Sequence, residues 1–311
     1  MPVKIVTDSA ADIPSAIVRE LGITLVPAYV NFGTKSYRDG VDIGCDEFYD
    51  KLAKGPVYPS TSQATPADFA AIYRRLAKET DEIISIHMSD KFSGTFSSAQ
   101  RGKNQADVKC DITMIDSETI SMALGIIVMS AAGMALLNQT PAEILDNVRD
   151  RIKNTRLWGT FDTLKYLARG GRIGKGKALL GSILNVKPVI TIRDGVISPV
   201  GNFRTRTKAL DKLCEMVQSS SGVQELAIVH ATTLDEAQNL ANRLSPFVAA
   251  ERLHLARLGP AIGVHTGPGT IVLVMRNNSG KTAENDSAPI SPLKRPSLRL
   301  PKINLTTHRQ V

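Results

Sequence analysis

Over residues 3–137 the chain alternates short apolar runs with stretches of helical period, and this alternation limits the fold more than any other feature. Residues 3–7, 23–30, 82–88 and 112–115 read as strands. Between them lie segments of 3.6-residue period. Asp12 is expected to cap a helix with Pro14 in its first turn, Ile17, Val18 and Leu21 on one face, and Gly22 as its stop. Thr65-Pro66 opens a second, with Phe69, Ile72, Tyr73 and Leu76 inward. Residues 119–137 form a third, apolar on every side. Strands that alternate with helices build a parallel sheet, because each helix returns the chain to the end of the sheet from which it started.

The second half reads differently. Residues 156–162 read as a strand and 163–168 as a helix. Residues 187–192 and 196–200 flank Arg193-Asp194-Gly195, a hairpin turn signal, so antiparallel pairing enters. A strand at 225–230, a helix carrying Leu234, Ala237, Leu240 and Leu244, and a closing strand at 270–275 complete it. The expected class is α/β in two domains. A parallel-sheet domain covers 1–155 and a mixed-sheet domain 156–276, and 277–311 is expected to be a disordered basic tail. Pro289, Pro292, Pro296 and Pro301 punctuate that tail among Ser, Asn and charged residues.

Charge and cysteine usage exclude several classes. The formal charge is +8, but the tail has six basic and two acidic residues and so carries +4 of it. The folded body therefore lacks the strongly basic balance of a nucleic-acid binder. Cys45, Cys110 and Cys214 are far apart and form no CxxC pair, which points to a reduced, cytoplasmic setting without a structural zinc. The N-terminus runs directly into a strand, so no signal peptide is expected. The longest apolar stretch, 122–137, is about 16 residues and is interrupted by Gly125, Ser130 and Gly133, short for a membrane span.

Ser93-Gly94-Thr95 stands between a buried strand and a helix start. Backbone N–H groups at such a junction have no intrahelical partner and sit at the positive end of the helix dipole, where anions bind. Two further polar segments stand out. One is Ser60-Thr61-Ser62-Gln63. The other, 262–270, is read as a rigid Gly/Pro loop around His265. Gly171-Arg-Ile-Gly-Lys-Gly-Lys-Ala178 approaches a phosphate-binding loop, but Ala178 replaces the metal-binding hydroxyl and a helix precedes it. It reads as a basic turn. Asp8-Ser9 and Ser93 with His265 suggest an acyl-transfer triad, yet no G-x-S-x-G elbow is present and the sequence places no acid behind His265. Hydroxyls, helix N–H groups and one imidazole can instead hold a carboxylate without a full positive charge. Paired carboxylates for acid–base work and metal-ligand spacing are both absent from the sequence.

These residues together resemble the DegV family, bacterial fatty-acid-binding proteins that include the FakB subunits of fatty acid kinase. The resemblance runs to about residue 276 through Val6-Thr-Asp-Ser-Ala-Ala-Asp-Ile-Pro14, Val26-Pro27, Tyr37-Arg-Asp-Gly-Val-Asp42, Thr61-Ser-Gln63, Ser93-Gly-Thr95, Gly170-Gly-Arg-Ile-Gly174, Lys187-Pro188, Arg204-Thr-Arg206 and Gly263-Val-His-Thr-Gly-Pro-Gly269. It implies a fatty acid buried between two domains, with its carboxylate at Thr61 and Ser93 and with His265 in the same network. Gly94 and Thr95 accompany Ser93, and Ser62 and Thr266 are secondary candidates. It also implies a separate kinase subunit, met near Arg204 and Arg206, that converts the carboxylate to an acyl phosphate. The binding subunit would have no catalytic residue, cofactor or metal of its own and at most peripheral membrane contact. A lipid carrier or sensor without a kinase is the alternative. A serine hydrolase and a nucleotide-dependent enzyme at 171–177 are the remote ones. About 15 methylenes at ~0.8 kcal/mol each give roughly 12 kcal/mol of gross burial energy, so the tail supplies affinity and the head only orientation.

Overall fold

The computed structural model describes residues 2–179 and 186–278, and the expectation for the tail falls outside them. The first strand, β1 (Lys4–Asp8), runs into a 3₁₀ turn, Ser9–Ala11, followed by α1 (Ser15–Glu20) and β2 (Thr24–Val26). The chain then leaves this sheet. It makes β3 (Tyr29–Phe32), β4 (Lys35–Arg38), α2 (Cys45–Lys54) and β5 (Ser60–Ser62), with the strands forming a small antiparallel sheet ordered β4-β3-β5. It returns through α3 (Pro66–Leu76) to β6 (Glu82–His87), α4 (Thr95–Ala106) and β7 (Asp111–Asp116). The first sheet is ordered β2-β1-β6-β7 and is wholly parallel, as the alternation requires. Strand order reverses about β1, so the loops after β1 and β6 open onto the switch point where ligands of α/β sheets bind. The Ser93 loop is one of them.

Two helices, α5 (Ser121–Leu136) and α6 (Pro141–Asn154), lead to the second sheet. That sheet contains β8 (Thr155–Thr160), then after α7 (Lys165–Arg169) the hairpin β9 (Lys187–Arg193) and β10 (Val196–Phe203). It continues through α8 (Arg206–Gln218), β11 (Val223–His230), α9 (Leu234–Leu244), β12 (Leu253–Arg257), α10 (Pro260–Thr266) and β13 (Ile271–Asn277). Its order is β10-β9-β8-β13-β11-β12, with only β11 and β12 parallel. The mixed sheet is as expected. Asp194 and Gly195 both have positive φ, 50° and 71°, the conformation that matches the twist of a two-residue hairpin.

Helix α5 explains how the sheets share a core. Its Leu124, Ile127, Val128 and Ala131 pack with Ile5, Ile84 and Ile86 of the first sheet. Its Met122, Ala123 and Ile126 pack with Leu157, Val229, Val272 and Val274 of the second. A helix covered on both sides has no polar face, which is why this one is apolar all round.

Three expectations are corrected. Asp12 does not cap α1. It adopts a left-handed φ of 52°, and α1 starts at Ser15 behind Pro14, with no side-chain cap. The run 23–30 is not one strand but β2 and β3, which belong to different sheets, with Pro27 between them. Residues 260–266 are helical, so His265 lies in the last turn of α10 rather than in a rigid loop; the left-handed Gly267, φ 80°, ends the helix. Residues 171–178 do follow a helix, as the phosphate-loop comparison had required them not to.

Candidate functional site

Thr61 reaches the site from β5, a three-residue strand held in place by its pairing with Val30 of β3. Its hydroxyl shares a 2.8 Å hydrogen bond with His265 Nε2. Burial, and the Arg172 guanidinium after it, push the imidazole down to about 4, so it is neutral at pH 7. Its Nδ1 has no hydrogen-bond partner among the described residues. The ring packs directly on Gly170, where any side chain would overlap it. Tyr58, beside it, donates to the Val264 carbonyl at 2.8 Å, and the Arg169 guanidinium lies 3.8 Å over the Tyr58 ring.

Ser93 sits at the switch point. Its Oγ lies 2.8 Å from Thr95 Oγ1 and accepts from Thr95 N at 3.3 Å, a local turn at the start of α4. Gly94 is the N-cap of α4 and contributes no side-chain cap, and of the donors at this helix start Ser93 Oγ takes Thr95 N. Two contacts hold this loop against the Thr61–His265 pair. Gln63 packs on Gly94, where an added Cβ would stand 3.0 Å from Gln63 Nε2. Arg172 donates to Gly170 O at 2.7 Å and to Phe92 O at 3.4 Å, joining the two sides. From behind, Lys91 donates to the Asp194 carbonyl and Ser89 to that of Gly195, fixing the loop to the β9–β10 turn.

Thr61 and His265 thus meet directly, and Gln63 and Arg172 tie the loop carrying Ser93, Gly94 and Thr95 to the segments that hold them. Ser62 is elsewhere. It faces away from Thr61, as strand alternation dictates, and accepts from Asn31 Nδ2 at 3.3 Å. Thr266 turns inward, donates to Ile262 O at 3.2 Å and lines an apolar cavity of about 30 Å³ with Leu157, Phe161, Ile190, Ile197 and Val272. Arg206 is committed to Glu236, which accepts from Nη2 at 2.8 Å and from Nε at 3.1 Å. Arg204 is exposed, with no side-chain partner among the described residues. Arg172 is the site residue that the motifs contained but the sequence did not flag. Its position after the left-handed Gly171, φ 71°, was the available signal.

A second constellation went unread. Ser85 Oγ lies 2.7 Å from His87 Nε2, and His87 Nδ1 lies 3.0 Å from Asp8 Oδ2. A Ser–His–Asp line can serve acyl transfer, but all three residues are at most 1 % exposed and Ser85 also bonds the Tyr73 hydroxyl. No acyl carbon reaches it, and the line fastens β1 to β6. The Asp8 carboxylate is used there, so it does not stand behind His265. Among the described residues no cluster of His, Cys, Asp and Glu is placed to hold a metal ion, and no helix is long and apolar enough to cross a membrane.

The model of the DegV family, described as uncharacterised proteins, matches residues 2–277. The chain belongs to the DegV family. A DegV domain-containing protein of Streptomyces coelicolor is 37 % identical over 278 residues, which cover 88 % of this chain and 98 % of the relative. A fatty-acid-binding DegV family protein of Thermus thermophilus superposes with a TM-score of 0.82 at 30 % identity, covering 89 % of this chain and 100 % of the other. A stearic acid-binding protein of Eubacterium ventriosum superposes with a TM-score of 0.78 at 26 % identity, covering 88 % and 98 %. The family places the Thr61–His265 contact in a fold whose solved members include fatty-acid binders.

Proposed function

We propose that this DegV-family protein binds a long-chain fatty acid, with the carboxylate at Thr61, Ser93 and the α4 start and the tail in the apolar interior below Thr266. The observation that carries this reading is the contact of Thr61 with a neutral His265, one residue from an apolar cavity. The fatty-acid-binding relatives support it. Neutral donors orient an anion while the hydrocarbon provides the affinity.

The cavity volume of about 30 Å³ matches the share of one water molecule, whereas ligand pockets run to about 300 Å³ and more. A tail therefore enters by parting Phe161, Leu164, Leu167, Ile173, Ile190 and Ile197, a small cluster separate from the main core. Phe92 packs on that cluster, one residue from Ser93, so entry of the tail is felt at the head. In this reading the head group lies between an N-terminal domain, 1–155, which brings Thr61 and Ser93, and a C-terminal domain, 156–276, which brings His265 and the cluster that the tail parts.

The bound acid is then presented to a separate cytoplasmic kinase subunit, which forms the acyl phosphate; this chain contributes no catalytic group. Two features support this. His265 lacks the acid partner that would make it a general base, and Arg204 stands free for a docking contact while Arg206 is held by Glu236. Native mass spectrometry of the purified protein tests the ligand: a mass matching a C14–C18 acid is expected, and occupancy by none would refute the reading. With the cognate kinase, Arg204→Ala should lose complex formation while keeping its lipid. Wild-type protein that yields neither complex nor acyl phosphate would leave a carrier or sensor.

A further inference from the structure

We propose that Asp12 and Asp39 are positioning residues of the head-group site, a carboxyl pair that seats the start of α10 and so sets where His265 meets Thr61. The proposal rests on the reading of Thr61 and His265 as the head-group contact. Helix α10 begins at Gly259, which has no side chain to cap it, and Pro260, which has no N–H. Of the three donors left at this end, Gly259 N, Ala261 N and Ile262 N, the first two are taken by side chains from outside the helix. Asp12 Oδ1 accepts the first at 2.8 Å and Asp39 Oδ2 the second at 3.4 Å. The acceptors come from separate loops, one after β1 and one after β4, and they converge. A Cβ placed on Gly259 would stand 2.9 Å from Asp12 Oδ1 and 3.7 Å from each Asp39 oxygen. Asp12 holds this place in a left-handed conformation, φ 52°, with its other oxygen 2.5 Å from Ser121 Oγ.

The geometry makes this seat matter at the far end. A seven-residue helix is about 10 Å long and moves as one piece. His265 sits in its last turn, and its Nδ1 makes no hydrogen bond that would orient the ring independently. The ring is therefore placed by its packing on Gly170 and by the helix that carries it, and a tilt at Gly259 becomes a displacement at Thr61.

Two buried carboxyl groups beside each other favour holding a proton between them. Burial, more than repulsion from Asp39 and Asp8, pushes Asp12 up to about 8, and burial, more than repulsion from Asp8, pushes Asp39 up to about 6. The titratable and charged groups about the pair are Asp8 at the end of β1, which acts on both aspartates, and Cys45 and Tyr49 on α2, which feel both the pair and Arg257 at the end of β12. Arg257, the one permanent cation among them, is itself paired with Asp46 at 2.9 Å. Deprotonation of Asp12 near pH 8 places a second charge at the seat.

The test follows the His265 ring signals by NMR in the full-length, delipidated protein labelled at histidine, assigned with His265→Gln. The imidazole titrates near 4, so a change in its signal near pH 8 reports the seat and not its own proton. The expected results are a step near pH 8 in the wild type, its loss in Asp12→Asn, and a displaced signal at every pH in Asp12→Ala and Asp39→Ala. Palmitate affinity at pH 7 should fall about tenfold in the alanine variants, the scale of a lost helix cap, and be largely rescued by asparagine, which keeps the acceptor oxygen. Wild-type signals in the alanine variants with no step near pH 8 overturn the proposal. If those variants do not fold, presence or absence of the step in wild type and Asp12→Asn decides it. The NMR readout needs no fatty acid, so a protein that binds no palmitate but shows the step refutes the ligand and keeps the seat.

Discussion

At the scale of single residues, the proposed head-group site is built from neutral groups. A neutral His265 both donates and accepts, so it can hold the Thr61 hydroxyl in the orientation a carboxylate needs. Removing the two hydroxyls in Thr61→Ala with Ser93→Ala should lower fatty-acid retention by about tenfold or more, since each hydrogen bond to a charged group contributes about 1.5–3 kcal/mol. Unchanged lipid occupancy by mass spectrometry, with an unchanged circular dichroism spectrum, would count against the site. The Ser93 turn was legible in the sequence because a small hydroxyl residue between a strand and a helix is a local signal. Arg172 was not, because only the approach of Gly170 to Phe92 gives that guanidinium its place at the site.

At the scale of elements, helices were more legible than short strands. Helix α3 shows a full capping box, with Thr65 Oγ1 accepting from Asp68 N and Asp68 accepting from Thr65 N, just where Thr65-Pro66 indicated an entry. Strand β5 has only Ser60, Thr61 and Ser62, with no apolar alternation to announce it. It is a strand because β3 pairs with it. Helix α5 has a vulnerable point at Gly125. A methyl group there would stand 2.7 Å from the Ala11 carbonyl oxygen and 2.8 Å from Met122 Sδ, between the helix and the loop after β1. Gly125→Ala should therefore destabilise by about 1–3 kcal/mol through overpacking, although alanine is the better helix former. Chemical denaturation gives the answer, and a gain in stability would show that the loop yields freely.

At the scale of the molecule, a buried ion network ties α6 to the second sheet. Glu225 on β11 accepts from Arg151 of α6 at 2.8 Å, shares a 3.0 Å contact with His254 of β12, and has Arg276 of β13 at 3.5 Å. Burial alone would raise this carboxyl, but the bonds from His254 and Arg151 outweigh it and hold it at about 2. Its folded value is thus below the ordinary 4.5, so its contribution is present above that pH and is lost as pH falls toward 2. Glu225→Gln strands the buried Arg151 and the half-buried Arg276 and should cost about 3–5 kcal/mol at pH 7, with the difference from wild type shrinking below pH 4. Urea midpoints at pH 7 and pH 3 measure both effects, and an equal loss at the two values would show that charge is not the cause.

The sequence by itself determined which segments alternate as strand and helix, that the first sheet is parallel and the second mixed, and that Ser93 opens a helix. Those properties follow from periodicity, turn chemistry and side-chain size within a few residues. Only the tertiary structure decided that residues 23–30 divide between two sheets, that Asp12 serves α10 rather than α1, and that Thr61 meets a histidine 204 positions away. These depend on which surfaces bury each other, and the free energy of burial is shared over the whole core rather than written in any one stretch of chain.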